Sequence, residues 1–542
     1  MAERLPYLLK QLERLNSIGV ALSAERDNKR LLEMILLGAT EITNADGGTI
    51  YTVTDDRQLK FEIMSNKTLN IALGGSTGKQ IPFSPLSLYL NNGQQNLTTV
   101  ATYAVLNDRT VNIENAYEAK NFDFTGLRNF DEETGYHSKS FLTIPMKNHE
   151  SEIIGVLQLI NAIDNETKQI IPFSVANQSL AESLASQAAV AMTNQNLIEG
   201  LKALFEAFIE LMAEAIDQKS PYTGGHCRRV PELTMMLGQA AIDAKTGPLK
   251  DFTLSEKEVY ELKIAGWLHD CGKVATPDHV MDKATKLSAM FDRIQLIDQR
   301  FELLKAQAES AMLKRQLALF KLGHTEDLAA PESAHLAFIR QCNEDREFLR
   351  KANYGVEFMT PQDQQRVRDI AAMPILDADG AQMPFLTDNE VLNLNIERGT
   401  LNAEERMIIN NHINVTISML ESLPYPKSLR RVPEYACGHH ERMDGRGYPR
   451  GLTREQMSVP ARVMGIADIF EALTSNDRPY KKAKTLTESL HILGKLKLDH
   501  HIDPDLFDLF IREKIYLKYA LCFLEAEQID VVDETKIPGY QP

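Results

Sequence analysis

The stretch His439-His440-Glu441-Arg442-Met443-Asp444-Gly445-Arg446-Gly447-Tyr448-Pro449 sets two adjacent histidines before a glycine-rich turn. Neutral imidazole is the commonest side-chain ligand for divalent transition metals. Glycine permits backbone conformations and close approaches that other residues resist. A ligand pair is thus followed by a backbone able to press against a bound molecule. The doublet alone proves little, because His500-His501 is a second adjacent pair without any comparable turn. If His439 and His440 hold a metal, carboxylates and further histidines must converge on them from elsewhere.

Such residues are present. Leu268-His269-Asp270-Cys271-Gly272-Lys273 places a His-Asp pair at the end of an apolar helical segment, Glu256 to Leu268. There the imidazole can ligate one ion while the carboxylate bridges two. Lys273 follows about one turn on, a compact charge suited to a phosphate oxygen. His226 follows the glycine turn Tyr222-Thr223-Gly224-Gly225, and His412 lies in the helical run Arg406 to Leu423. Asp468 sits in Val463-Met464-Gly465-Ile466-Ala467-Asp468-Ile469-Phe470, an apolar helix in which an unpaired carboxylate would be costly. A buried aspartate in that setting asks for a cation.

A chain of 542 residues has room for roughly three or four units of typical domain size. The net charge of −16 argues against a nucleic-acid polymer or an anionic membrane as partner. It does not exclude a small phosphate-bearing substrate, since bound cations reverse the local field. The five cysteines form no CxxC, so neither a disulfide framework nor a cysteine zinc site is expected. With no apolar signal core and no run able to span a bilayer, a reduced cytoplasmic setting is the simplest expectation.

Taken in order, Leu5 to about Thr43 has helical periodicity. Gly47 to Thr54 and Leu59 to Met64 read as strands around the turn Asp55-Asp56-Arg57, and Ser140 to Met146 and Ile153 to Ile160 repeat the signal. Between them Thr110 to Tyr117 and Phe122 to Tyr136 form a less regular wall, which together describes an α+β sensory-type domain. Ser179 to Asp217 is helical throughout, with an apolar seam of Leu180, Leu184, Ala188, Met192, Leu197, Leu201, Leu204, Phe208 and Met212. That seam fits a helix joining two domains and pairing with its counterpart in a homodimer. Met290 to Ala318 is charged and periodic, whereas Thr325 to about Leu394 is polar with weak patterning.

Val111 to Tyr117, Phe130 to Tyr136 and the run Leu142 to Asn161 resemble a GAF domain, of the kind found in cyclic-nucleotide phosphodiesterases and adenylate cyclases. Cyclic-nucleotide-binding relatives carry Asn-Lys, Phe and Asp-Glu where this chain has Asn161-Ala162, Phe173 and Asn177-Gln178, a departure that speaks against such a ligand. Downstream, Tyr222 to Val230, His269 to Lys273, His412, His439 to Pro449, and Val459-Pro460-Ala461-Arg462 through Arg478-Pro479-Tyr480-Lys481 resemble the HD-GYP family of metal-dependent phosphohydrolases. Asp499-His500-His501-Ile502-Asp503-Pro504 resembles that family's closing helix boundary, which makes the second doublet structural.

The resemblance implies a GAF domain at 1–195, a connecting helix at 180–218, an all-α HD-GYP domain at 219–525 and a tail at 526–542. It implies His226, His269, Asp270, His412, His439, His440 and Asp468 as ligands to two divalent ions, iron or manganese, with Asp270 bridging. Lys273 would contact phosphate, Tyr448 would line the nucleotide pocket, and Arg478 and Lys481 would bind phosphate or guanine. Three-metal members carry a glutamate where Tyr222 stands here, which favours two. The implied activity is hydrolysis of cyclic di-GMP to linear pGpG or GMP, regulated by the GAF domain and any small molecule it binds. Against it stand a catalytically silent cyclic-dinucleotide sensor and an enzyme for another cyclic dinucleotide such as cyclic GMP-AMP. Residues 288–398 are an insertion relative to the family, open to a role as lid, dimer element or partner site. Ser475-Asn476-Asp477-Arg478 is one residue longer than usual, which bears on Arg478 and Lys481.

Overall fold

The computed structural model describes residues 4–219, 225–324, 329–355, 358–476 and 483–541. Two compact units, Met1–Phe205 and Glu206–Pro542, divide the chain. The first begins with α1 (Arg4–Ala24) and α2 (Asn28–Thr43). The sequence predicts continuous helical periodicity here, but Asp27 turns extended and its carboxylate accepts from the Lys29 and Arg30 amides. An aspartate competing for backbone N–H groups is a helix start, so one predicted segment becomes two helices.

The sheet comprises β1 (Ala45–Val53), β2 (Gln58–Asn66), β3 (Ile71–Gly74) and β4 (Leu86–Ser87). After α3 (Val100–Leu106) come β5 (Val111–Ile113), α4 (Thr125–Thr134), β6 (Phe141–Lys147), β7 (Ile153–Ile163) and β8 (Ile170–Ile171). The strands run β3-β2-β1-β7-β6-β5, all neighbours antiparallel, with Ile50 opposite both Ile63 and Leu157. One sheet face buries Ile50, Ile144, Leu157 and Leu159 against Leu32, Ile35 and Leu36 of α2. The other carries Tyr51, Leu59 and Val156 against Leu88 and Ala101. This is the α+β domain that the alternating strands predict.

The 45-residue α5 (Val175–Lys219) is the long helix expected from the sequence. Its seam is two seams. Leu184, Ala188 and Met192 lie in the sheet domain's core, whereas Leu197, Leu201, Leu204 and Phe208 are more than half exposed. The exposed stripe continues through Leu211 rather than Met212.

The second unit contains α6 (His226–Asp243), α7 (Glu256–Leu268), α8 (Asp278–Met281), α9 (Ile294–Lys321) and α10 (Ala329–Asn353). Next are α11 (Pro361–Ala371), the hairpin β9 (Pro374–Leu376) and β10 (Gln382–Pro384), and α12 (Asp388–Leu394). The remainder is α13 (Ala403–Asn410), α14 (His412–Glu421), α15 (Val432–Ala436), α16 (Val459–Thr474), α17 (Leu486–Leu498), α18 (Pro504–Arg512) and α19 (Ile515–Phe523). Val230 and Leu237 of α6 and Ile466 and Phe470 of α16 pack with Leu490, Phe510 and Tyr519 in the principal core. Ile537 joins that core and Lys497 donates to the Gly539 carbonyl, so the chain's last described residues are packed.

The insertion has a core of its own, built from Ile297, Phe301, Leu349, Val367, Phe385 and Leu394. Its two ends are tied by buried lysines. Lys286 donates to the carbonyls of Leu394 and Ile396, and Lys283 pairs with Glu405 while donating to Asn393.

Candidate metal centre

Each candidate ligand sits where a helix starts, ends or turns one face inward. Helix α7 is started by the Ser255–Glu258 capping box and buries Ile264, Ala265 and Leu268. Past its end the chain tightens into a 3-10 turn, Cys271–Ala275, placing His269 and Asp270 at the bend. Gly272 allows this turn to meet α14: a Cβ there would lie 2.0 Å from the His412 carbonyl oxygen and 2.5 Å from the Thr416 nitrogen. The Gly272 amide donates to Thr416 Oγ1. His412 opens α14 because the predicted run Arg406 to Leu423 breaks after Asn410. His226 opens α6, His439 and His440 follow α15, and Asp468 projects from α16.

These residues form two clusters, His226-His269-Asp270-Asp468 and Asp270-His412-His439-His440, with potential ligand atoms within 4.8 Å of one another in each. Asp270 belongs to both. Its Oδ2 lies 3.1 Å from His226 Nε2 and 3.2 Å from His269 Nε2. Its Oδ1 lies 3.2 Å from His412 Nε2 and 3.9 Å from His439 Nε2.

The backbone fixes which nitrogens face inward. His269 Nδ1 is 2.7 Å from the Gly266 carbonyl, His412 Nδ1 2.5 Å from that of Ile409, and His439 Nδ1 2.6 Å from that of Ala436. A carbonyl only accepts, so each Nδ1 carries a proton and each ring turns its Nε2 into the centre. Ring nitrogens then crowd one another: the Nε2 atoms of His226 and His269 lie 3.3 Å apart and those of His412 and His440 3.1 Å apart. Asp270 Oδ1 and His439 Nε2 are buried without hydrogen-bond partners. Buried acceptors facing acceptors are repulsive and costly unless cations lie between them. The donor set therefore fits a pair of metal ions sharing one carboxylate.

Electrostatics keep His439, His440 and Asp270 in their ligating forms. Burial of His226 is outweighed by Glu471, Asp270 and Asp468, which raise it well above the ordinary imidazole value until a cation replaces its proton. Burial, with His440 and His269 nearby, holds His439 well below the ordinary imidazole value, and burial lowers His440 to about 4. Burial opposes the charge on Asp270, yet Lys273 and His269 hold its carboxyl well below the usual range. Lys273, expected on a phosphate, here pairs with Asp270; burial opposes its charge, but Asp270 and Asp468 hold it protonated.

Glu471, one turn past Asp468 on α16, escaped the sequence reading. It is fully buried, pairs with His226 Nδ1 and accepts from Arg229 Nε at 2.7 Å. The carboxylate orients the His226 ring and fixes its tautomer, as partners behind metal-ligating histidines do. The signal was available, because the reasoning that singled out Asp468 in an apolar helix applies equally to Glu471. Glu471→Gln should cost roughly 10- to 100-fold in metal affinity with the fold retained, measured by chelator competition on the purified protein.

Beside the clusters lies a cavity of about 490 Å³ lined by His439, His440, Tyr448, Asp468, Arg446 and His501 among others. Tyr448 faces it as expected, its ring stacked on His440 with centroids 4.9 Å apart. The loop carrying Tyr448 is held by the buried Glu441, which accepts from the Arg450 and Leu452 amides at 2.8 and 2.9 Å. Gly447 has no room for a side chain, since a Cβ would sit 2.4 Å from the Arg442 nitrogen. His501, expected to serve only a helix boundary, also faces this cavity. Arg478, Lys481 and Tyr222 lie outside the described residues. His137, His149, His279, His324, His335 and His491 join neither metal cluster among the described residues.

Comparison with known proteins matches a GAF domain at residues 27–192 and an HD domain at residues 359–506. The HD match takes in His412, His439, His440 and Asp468 and begins inside the insertion. The chain is 42% identical over 104 residues to a cyclic di-GMP phosphodiesterase of Pseudomonas aeruginosa, covering 19% of this chain and 24% of that protein. It is 36% identical over 126 residues to a 3'3'-cGAMP-specific phosphodiesterase of Vibrio cholerae, covering 23% and 28%. These matches span about a quarter of the relatives' length. Among solved structures, the GAF domain of an Acinetobacter phosphoenolpyruvate-protein phosphotransferase aligns at 17% identity over 35% of this chain and 98% of that one, with a TM-score of 0.26.

Proposed function

We propose that this chain, a GAF domain followed by an HD domain, is a metal-dependent phosphodiesterase of cyclic dinucleotides, with cyclic di-GMP as substrate and the GAF domain as regulator. One observation carries the reading: Asp270 is common to two clusters that together hold seven potential metal ligands. Two divalent ions, iron or manganese, fit imidazole and carboxylate donors. When bound, such a pair activates water at neutral pH and neutralises charge on a phosphodiester. The chain's own groups do the remainder. Carbonyls behind His269, His412 and His439 and the carboxylate of Glu471 hold the ring orientations. Lys273 puts a fixed ammonium beside the centre, within reach of a phosphate oxygen once Asp270 is engaged by metal. Tyr448 gives the cavity an aromatic wall for a base, and Arg446 stands at its rim.

The complete donor set favours turnover over a silent sensor. The likeness to a 3'3'-cGAMP-specific enzyme supports a second substrate reading. Turnover by anaerobically purified, metal-replete protein decides among these. Cyclic di-GMP should be cleaved to pGpG or GMP; faster cleavage of 3'3'-cGAMP would transfer the assignment, and inertness toward both would leave the sensor reading.

The exposed stripe on α5 supports a homodimer. Asn194, Leu197, Leu201, Leu204, Phe208 and Leu211 follow spacings of three and four, the heptad seam of a two-stranded coiled coil, with one polar residue inside it. Leu201 and Leu204 are 66% and 67% exposed, which a partner helix would cover. Light scattering at micromolar concentration should give twice 61.0 kDa for the wild type, and a single 61.0 kDa chain for Leu201→Glu/Leu204→Glu. A monomeric wild type would remove the dimer.

A further inference from the structure

From Glu206 on, α5 belongs to the second unit, where its Ile209, Ala213 and Ile216 are buried. Glu206 pairs with Lys263 of α7 at 3.2 Å, and Glu214 with Arg228 of α6 at 3.5 Å. The end of α5 is thus docked against the helix that leads into Asp270 and the one that starts at His226.

Helix α6 has no cap of its own. Its N-cap is Gly225, at φ 86°, which has no side chain to accept from the first amides. Asp217 fills that role from the last turn of α5. Its Oδ2 accepts from the Gly225 amide at 3.0 Å and its Oδ1 from the Cys227 amide at 3.4 Å. This buried carboxylate stands at the positive end of α6, where a negative charge is favoured. The backbone of His226 lies between the two amides it holds.

Two residues on, Lys219 grips the turn that follows Asp270. Its ammonium donates to the carbonyls of Val274 and Thr276, the latter at 2.6 Å, and lies 3.4 Å from that of Lys273. Asp278 pairs with it at 3.7 Å. Residues two apart on a helix point roughly 200° away from each other. The end of α5 therefore sits between the His226 and Asp270 segments and holds one with each side. Both ligands belong to the cluster His226-His269-Asp270-Asp468, whereas Asp217 and Lys219 belong to neither cluster.

We propose that Asp217 and Lys219 are positioning residues of the metal centre. The last turn of α5 sets the spacing of the His226 and Asp270 backbones, and with it the affinity for the ion their cluster holds. The proposal rests on the two-ion reading of the centre given above.

Calorimetric titration of the metal-free full chain with manganese(II) tests it, with Glu471→Gln marking the ion bound through His226. Wild type should take up two ions. Asp217→Ala should weaken the step that Glu471→Gln weakens by about tenfold or more and leave the other within about twofold of wild type. Lys219→Met should weaken both steps, because Asp270 serves both clusters. Lys219→Arg, which still donates to the carbonyls, should restore most of that loss. Affinities unchanged in either Asp217→Ala or Lys219→Met, equal weakening of both steps in Asp217→Ala, or no recovery in Lys219→Arg would overturn the positioning role. Should Asp217→Ala fold poorly, Asp217→Asn, which keeps an accepting oxygen, should weaken the same step by a smaller factor, and wild-type affinity there would count equally against it. A wild type that takes up fewer than two ions would overturn the two-ion reading, and this proposal with it.

Discussion

Asp270→Asn should lose both metal ions and phosphodiester hydrolysis together, with the helices intact. The substitution keeps shape and volume but removes the charge that two cations share. Asp270 Oδ1 faces His412 and His439, and Oδ2 faces His226, His269 and Lys273, so one atom change reaches both clusters. An asparagine amide can donate to a facing imidazole lone pair, which is why the metal-free fold should survive. Turnover should fall by about three orders of magnitude or more, equivalent to about 4 kcal/mol of transition-state stabilisation. Lys273→Ala should separate from it, because an ammonium cannot ligate a cation: metal content should stay while turnover drops. Elemental analysis, a cyclic-dinucleotide assay and far-UV circular dichroism on the two variants check this.

Gly272→Ala should damage the centre from behind. Its Cβ would fall 2.0 Å from the His412 carbonyl oxygen and 2.7 Å from Thr416 Oγ1. The first of these is helix backbone, which cannot swing aside as a long side chain would. Either the 3-10 turn or α14 must move, and each carries a ligand, Asp270 on one and His412 on the other. Overpacking of this kind costs about 3 kcal/mol. Denaturant unfolding should show that loss, and metal occupancy should fall with it. An alanine variant with wild-type stability and full metal content would mean that the tight approach is not needed.

The candidate ligands were legible because each breaks a local pattern. Asp468 interrupts an apolar helix, His269-Asp270 ends another, and His439-His440 precedes glycines, of which Gly447 packs against the Glu441 and Arg442 backbone. The strands were legible from alternation, since Ile50, Leu157 and Leu159 must share one buried face. What stayed hidden depended on contacts distant in sequence. Glu471 shares the apolar helix that marks Asp468, but its role behind a ligand shows only when His226, 245 residues away, is placed against it. The span from Thr325 to about Leu394 read as weakly patterned because the 25-residue α10 buries just Cys342, Asp345, Leu349 and Asn353, two of them polar, and because Glu390 is buried by pairing with Arg300. The α5 seam read as one although its two stripes have different surroundings, the sheet domain's core first and exposed surface after. The break at Asp27 was a local signal, a capping carboxylate, outweighed by the apolar periodicity on both sides.

Metal stoichiometry in anaerobically purified wild-type protein tests the central claim most directly. A carboxylate shared by two buried donor clusters predicts two divalent ions per chain, and the loss of both in Asp270→Asn. A wild type that hydrolyses a cyclic dinucleotide with a single ion, or an Asp270→Asn variant that keeps both, would contradict it.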